Sequence, residues 1–226
     1  MKILGIDPGM AIVGYALVET ENENIELLNT GIPIQYITNK QEFMGLDFYV
    51  DSNVLIPQPD TEILVEEVLD ILKNKNGVKS VLDLCTGSGA IGVSIAKYSD
   101  SIVTMSDISE GALEIARKNA TSNKVIDKCN FVLSDMFEDI EEKFDIITSN
   151  PPYIKTKVIN ALNVEVQNEP MLALDGGRLL LLIIEAPRWS CNHIISELPN
   201  LSDNSFFIFE STSLFETAIS CKECIS

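Results

Sequence analysis

Between residues 80 and 149 short apolar runs alternate with helix-length amphipathic ones, and this alternation constrains the fold more than any other feature of the chain. Residues 80–84, 102–106, 130–133 and 144–149 read as strands. Residues 90–97 and 112–119 read as helices, the second carrying Glu114 and Lys118 at the i, i+4 spacing that supports a helix. Strand–helix–strand repeats set successive strands parallel in one sheet and lay helices over both of its faces. The expected class is therefore α/β. With 226 residues and 46% apolar content, the chain suffices for one globular domain with a small appendage.

Upstream the character differs. Residues 3–6 and 12–18 read as two strands of a hairpin turned at Asp7-Pro8-Gly9, followed by an acidic turn and a further strand at 25–29. Residues 43–50 read as one extended segment, and Ile56-Pro57-Gln58-Pro59 as a rigid connector. Asp60 or Thr61 then caps a helix over 62–75, whose apolar positions Ile63, Leu64, Val68, Ile71 and Leu72 keep helical spacing and which Gly77 ends. After Asp175-Gly176-Gly177 the pattern degrades to a helix over 178–189, stopped near Pro187, and a last strand over 205–210. There is no internal repeat. Four segments result: 1–32, 33–76, 77–189 and 190–226.

The chain has 34 acidic residues against 16 basic ones, a net charge of −18. Such a surface repels phosphate backbones, which argues against direct nucleic-acid binding and leaves room for a basic protein partner. Asp7 and Pro8 interrupt any signal-peptide core, and Leu179 to Ile184 is too short to span a bilayer, so no membrane is expected and the cytoplasm is the expected compartment. Five cysteines are an odd number, unlike a disulfide framework. Cys221-Lys222-Glu223-Cys224 has half-site zinc spacing, with Cys191 and His193 as further candidates, but two unconnected tail thiols read more simply, and no metal is expected. Nothing in the sequence sets an oligomeric state.

Gly87-Ser88-Gly89-Ala90-Ile91-Gly92 fits G-x-G-x-x-G between a strand and a helix, a pattern that serves dinucleotides and S-adenosylmethionine alike. The acidic residues narrow the choice. Asp83, just before the loop, would oppose a pyrophosphate and suits a ligand with an ammonium or sulfonium. Asp107 ends the next strand, near the offset of about 20 residues expected of a carboxylate that grips ribose hydroxyls. Asp135 follows the third strand, where it can accept an adenine amino group.

Asn150-Pro151-Pro152-Tyr153 follows the last strand of the repeat, where open α/β sheets place their chemistry. The prolines stiffen the backbone and remove two donors. The Asn150 side-chain oxygen and the Pro151 carbonyl remain as acceptors beside an aromatic ring, an arrangement suited to a planar NH2 group. Accepting both N–H hydrogens orients a poorly nucleophilic amide nitrogen for in-line methyl transfer. No strong base is needed, because the nitrogen becomes acidic once methylated. His193 is the only histidine, and it lies in an ill-defined region.

Together these residues resemble the protein-glutamine N5-methyltransferases of peptide chain release factors, the HemK/PrmC type. The likeness covers about residues 33–177, including Pro33-Ile34-Gln35-Tyr36-Ile37, Glu42-Phe43-Met44-Gly45 and Val54-Leu55-Ile56-Pro57-Gln58-Pro59-Asp60-Thr61-Glu62. It continues through Asp83-Leu84-Cys85-Thr86-Gly87-Ser88-Gly89, Ser134-Asp135, Asn150-Pro151-Pro152-Tyr153-Ile154 and Glu169-Pro170 to Ala173-Leu174-Asp175-Gly176-Gly177. It implies a Rossmann-like, S-adenosylmethionine-dependent methyltransferase domain with a mostly parallel sheet, preceded by a short β-hairpin appendage. It also implies that Cys85, Thr86, Gly87, Ser88, Gly89, Asp107 and Met136 line the cofactor site and that Asn150 to Tyr153 hold the substrate glutamine of a release factor. The chain departs from the family at Gln58, usually arginine, and Asn39, usually glycine. Residues 1–32, with Ile3-Leu4-Gly5-Ile6-Asp7-Pro8-Gly9 and Gly14-Tyr15, resemble instead the opening of RuvC-type Holliday-junction resolvases. Asp7 would there be a metal-binding carboxylate, but one carboxylate cannot run two-metal chemistry. This reads as a junction of two gene fragments. The competing readings are an inactive chimeric fragment, an N6-adenine DNA methyltransferase sharing Asn-Pro-Pro-Tyr, and, on residues 1–32 alone, a nuclease.

Overall fold

The computed structural model describes residues 2–7, 14–19, 32–74, 79–154, 156–159, 162, 164–176 and 201–209. The strand expected at 25–29, the stop at Gly77, the helix at 178–189 and the candidate zinc ligands Cys191, His193, Cys221 and Cys224 lie outside these residues.

A five-stranded sheet carries the fold: β5 (Ser80–Leu84), β6 (Ile102–Asp107), β7 (Cys129–Leu133), β8 (Phe144–Ser149) and β9 (Leu201–Phe209). Their order is β7-β6-β5-β8-β9 and every pairing is parallel. Helix α3 (Ala90–Tyr98) joins β5 to β6, and α4 (Glu110–Ser122) joins β6 to β7. The expected α/β class and mostly parallel sheet are thus present. Val81, Leu82, Val103, Met105, Ile146 and Ile147 are all fully buried, as strands covered on both faces require. The chain builds outward from β5 to β7 and then returns to β8. The order therefore reverses between β5 and β8, and the carboxyl ends of these two strands are where such sheets bind ligands.

Among the described residues, two short hairpins precede the sheet. β1 (Lys2–Asp7) pairs antiparallel with β2 (Gly14–Glu19), the hairpin expected from the sequence. β3 (Gln41–Phe43) pairs with β4 (Leu46–Phe48). Residues 43–50 are therefore not one extended segment. Met44 and Gly45, at φ 52° and 69°, reverse the chain, the geometry of a tight hairpin turn. Phe43 and Phe48 meet edge to face at 6.1 Å and pack into the main core with Leu64, Val65 and Val68.

A short helix, α1 (Ile34–Thr38), ends at Asn39 in the left-handed region, φ 53°. Asparagine tolerates that region, and its Nδ2 donates to the carbonyls of Tyr36 (3.1 Å) and Val50 (3.0 Å). The replacement of glycine at this position is therefore accommodated. Helix α2 (Glu62–Asn74) starts from a 3-10 turn over Pro59–Thr61. The expected cap is absent among the described contacts: no helix N–H donates to the side chain of Asp60 or Thr61, and the Thr61 hydroxyl meets Asn150 instead. Three helices of one turn, α5 (Thr156–Ile159), α6 (Val164–Gln167) and α7 (Met171–Leu174), follow β8. No helix among the described residues is long and apolar enough to cross a membrane.

Candidate active site

The site starts where β5 ends. Leu84 is the last strand residue, and Cys85, at φ 58°, turns the backbone into the glycine loop. Neighbouring strands hold that loop from below: the Thr86 N–H donates to the Ser106 carbonyl and the Gly87 N–H to Asp107 Oδ2, both at 2.9 Å. Asn119 on α4 donates to the Ser88 carbonyl at 2.9 Å. A Cβ added to Gly87, at φ +55°, would meet nothing within 4 Å, so the loop faces open space there. Gly92 is the opposite case. A Cβ there would lie 2.8 Å from Met105 Cγ and 2.9 Å from Asp83 Oδ2, so the third glycine lets α3 approach the sheet.

Asp83 lies beneath the loop rather than at its surface. It is fully buried, and its Oδ2 accepts from the Thr86 hydroxyl and, at 2.9 Å, from the Gly92 N–H. Its Oδ1 has no hydrogen-bond partner among the described residues. Burial pushes its carboxyl up to about 7, against the lowering effect of the Thr86 and Gly92 bonds and with a further push from Asp107. The carboxylate that the sequence placed just before the loop is thus enclosed beneath it, with one oxygen unpaired among the described residues.

Asp107 ends β6, half-buried, with Oδ1 accepting from the Ser109 N–H at 2.9 Å. Burial raises its carboxyl, offset by the Ser109, Gly87 and Ile108 backbone bonds. Its backbone carbonyl accepts from the Ser134 N–H at 3.0 Å, which ties the β7 end to the β6 end. There Ser134 holds the next turn through Met136 O and the Asp139 N–H, each at 3.0 Å, leaving Asp135 exposed and Met136 half-buried. Met136 Sδ lies 3.9 Å from Cys85 Sγ. Burial pushes the Cys85 thiol up to about 12, so it is a neutral group and no thiolate nucleophile.

Asn150 is the residue after β8. Ser149 pairs in register with Leu84, and its hydroxyl donates to the Leu84 carbonyl at 2.8 Å, so Asn150 emerges beside Cys85. Asn150 Nδ2 donates to Thr61 Oγ1 at 3.4 Å. Pro151 is buried, and Pro152 and Tyr153 are half-buried. Ile154 then bonds to both sides of the 174–176 turn, donating to the Leu174 carbonyl (3.0 Å) and accepting from the Gly176 N–H (2.9 Å), which anchors the far end of Asn-Pro-Pro-Tyr.

Three residues that the sequence reading gave no site role hold this arrangement. Thr61 contacts Asn150. Asn119 clamps the Tyr49 N–H (2.7 Å) and carbonyl (2.9 Å) as well as the loop. Glu169, whose carboxyl burial raises to about 7, accepts from the Ile56 N–H at 3.0 Å and fixes the connector that carries Thr61. Asn119 had a readable signal: it is polar yet shares the buried stripe of α4 with Ile115 and Ala116. Thr61 had none, because its partner is 89 positions away.

A parallel sheet reversing at β5, a glycine loop after β5, carboxylates at the ends of the strands and Asn-Pro-Pro-Tyr after β8 define an S-adenosylmethionine-dependent methyltransferase fold. The chain matches the methyltransferase small domain family over residues 59–194, more than half its length, and belongs to that family. It is 49% identical over 158 residues to the release factor glutamine methyltransferase of Clostridium acetobutylicum, a match covering 68% of this chain and 55% of that protein. It is 38% identical over 148 residues to the ribosomal protein uL3 glutamine methyltransferase of Francisella tularensis, covering 64% and 47%. The chain spans about half the length of the curated relatives it matches. A solved SAM-dependent methyltransferase from Agrobacterium tumefaciens shares the fold at TM-score 0.51 and 14% identity, covering 92% of this chain and 59% of that one. S-adenosylmethionine is the cofactor of this fold.

Proposed function

We propose that this protein methylates the side-chain amide nitrogen of a glutamine in a protein, and that the protein is a peptide chain release factor. The observation that carries the reading is the position of Asn150, which leaves β8 next to the end of β5, where the glycine loop begins, with its Nδ2 3.4 Å from Thr61 Oγ1. The names of the relatives support the same acceptor: both are glutamine methyltransferases, one of release factors and one of a ribosomal protein.

S-adenosylmethionine, when bound, supplies an electrophilic methyl group. The chain's own residues bind and orient. Thr86, Gly87, Ser88 and Gly89 of the loop, with Asp83 beneath them, would hold the cofactor, Asp107 would take its ribose, Asp135 its adenine amino group, and Cys85 and Met136 would wall the site. Asn150 Oδ1 and the Pro151 carbonyl accept both hydrogens of the substrate NH2 and favour a pyramidal nitrogen, while Tyr153 packs on the amide plane and Pro152 holds the turn rigid. The amide proton leaves to solvent after transfer, so no base on the protein is required. Residues 1–32 form a segment of separate origin that resembles the opening of a RuvC-type resolvase, 33–76 lead into the catalytic core at 77–189, and 190–226 diverge. The absence of a membrane-crossing helix among the described residues is in keeping with a place in the cytoplasm.

The test is calorimetric titration with S-adenosylmethionine followed by radiolabelled methyl transfer to release factor and to ribosomal protein uL3. Asn150→Ala is expected to lower kcat/KM at least about 100-fold, the scale for loss of one positioned polar group at a reacting centre, with cofactor affinity retained. Full activity in that variant would refute the amide clamp. Absence of cofactor binding in the unmutated chain would replace the whole reading with an inactive chimeric fragment.

A further inference from the structure

The glycine loop takes its shape from Gly87 and Gly89, at φ +55° and +79°. The same two residues make it soft, because a peptide plane flanked by glycine turns over at little steric cost. The plane between Ser88 and Gly89 is the one exposed to this. Its N–H donates to the Thr86 carbonyl at 2.9 Å, a bond that stays within the loop. Its carbonyl is held from outside the loop, by Asn119 Nδ2 at 2.9 Å.

The surroundings of Asn119 settle which way its amide points. Its Nδ2 also donates to the Tyr49 carbonyl (2.9 Å), and its Oδ1 accepts the Tyr49 N–H (2.7 Å). All three partners are backbone groups, each able to act in one sense only. Asn119 is fully buried, so a reversed amide would leave two carbonyls and one N–H unpaired away from water. Helix α4 also presses on the loop at Ala116, 3.0 Å from a Cβ built on Gly89, whereas one built on Gly87 meets open space. One side chain of α4 thus joins the glycine loop to Tyr49, the residue after β4.

We propose that Asn119 is a positioning residue for the methyl donor: by holding the Ser88 carbonyl together with both backbone groups of Tyr49, it locks the glycine loop and makes the β3–β4 hairpin part of the cofactor site's support. This rests on the reading above that S-adenosylmethionine sits on this loop. Asn119 acts through the loop backbone, from the side where Gly89 meets α4 rather than the open side at Gly87.

The test combines amide hydrogen exchange with calorimetric titration of the full chain with S-adenosylmethionine. Asn119→Ala is expected to speed exchange at Gly89 ahead of the amides of β5. It is also expected to weaken the cofactor about tenfold, as when about a tenth of the molecules hold the competent loop, with kcat at saturating cofactor retained. Ala120→Gly weakens the same helix but removes none of the three bonds, and it keeps cofactor affinity. Lys118→Ala, which removes the ammonium 3.0 Å from the centre of the Tyr49 ring, keeps it too. Coupling is reciprocal, so cofactor binding slows exchange of the Tyr49 amide in the unmutated chain and not in Asn119→Ala. If Asn119→Ala binds the cofactor as the unmutated chain does, or if Ala120→Gly weakens it equally, Asn119 serves the core alone and the proposal falls. Should Asn119→Ala not fold, the unmutated chain decides. A protected Gly89 amide, with Tyr49 slowed on binding, supports the proposal, and the absence of either overturns it. An unmutated chain that binds no S-adenosylmethionine refutes the cofactor reading itself, and this inference with it.

Discussion

Asp83 shows how one buried carboxyl can tie fold stability and cofactor affinity to the same proton. Its folded pKa of about 7 stands above the unfolded value, so the native state holds the proton more tightly than the unfolded chain. The stability it contributes is full below the unfolded pKa and is lost as pH rises through about 7. A cationic ligand on the loop reverses the preference and favours the ionised form, so binding releases a proton near neutral pH. Cofactor affinity is therefore expected to rise with pH across this range, measured by calorimetry in buffers of different ionisation enthalpy. Asp83→Asn is expected to abolish that dependence, to weaken binding at alkaline pH about tenfold, and to make the free protein more resistant to urea there, since it removes a buried charge and keeps the acceptor for Thr86 and Gly92. Glu169 titrates in the same range, but on the connector, so a dependence surviving in Asp83→Asn would belong to it and not to Asp83. At this scale the sequence was partly legible. Asp107 and Asp135 stand at strand ends, the one half-buried and the other exposed. The burial of Asp83 was not legible, because a strand's apolar pattern does not say which carboxylate the glycine loop will cover.

The loop and its helix act as one element, and two of its glycines are needed for different reasons. At Gly92 the obstacle is packing: an added Cβ comes within 2.9 Å of Met105 Cε and Asp83 Oδ2. Gly92→Ala is expected to destabilise by about 1–3 kcal/mol, the range for overpacking a tight core, and to disturb Asp83 with it. At Gly87 the space is open and the obstacle is backbone conformation, φ +55°, so Gly87→Ala is expected to lose only about 1 kcal/mol. Urea denaturation of both variants checks the order, and equal losses would show that the packing argument is wrong. The strands β5 and β8 were readable to the residue because fully buried strands are continuous apolar runs between turn signals. The β3–β4 hairpin was not, since its turn uses Met44 at a positive φ where glycine or asparagine would have announced it. The one-turn helices after β8 were equally hidden, as four residues are too few to display a helical period.

Across the whole molecule, electrostatics separates two acceptors that the local site cannot. A carboxamide and the amino group of adenine both present a planar NH2, and the Asn150 clamp would take either. The net charge of −18 acts at longer range. Binding a nucleic acid depends on releasing counterions from phosphates to lysine and arginine, and 16 basic residues against 34 acidic ones leave little for that exchange. DNA is therefore expected neither to accept methyl groups nor to inhibit transfer to a protein glutamine at roughly physiological salt, where the Debye length of about 8 Å still leaves close repulsion intact. Lowering the salt makes the test stricter, because repulsion of phosphate by an acidic surface grows as screening falls, whereas true DNA enzymes bind more tightly under that change. Competition by duplex or single-stranded DNA that strengthens as salt is removed would mean that a basic face exists despite the overall charge, and would move the adenine reading ahead of the glutamine one.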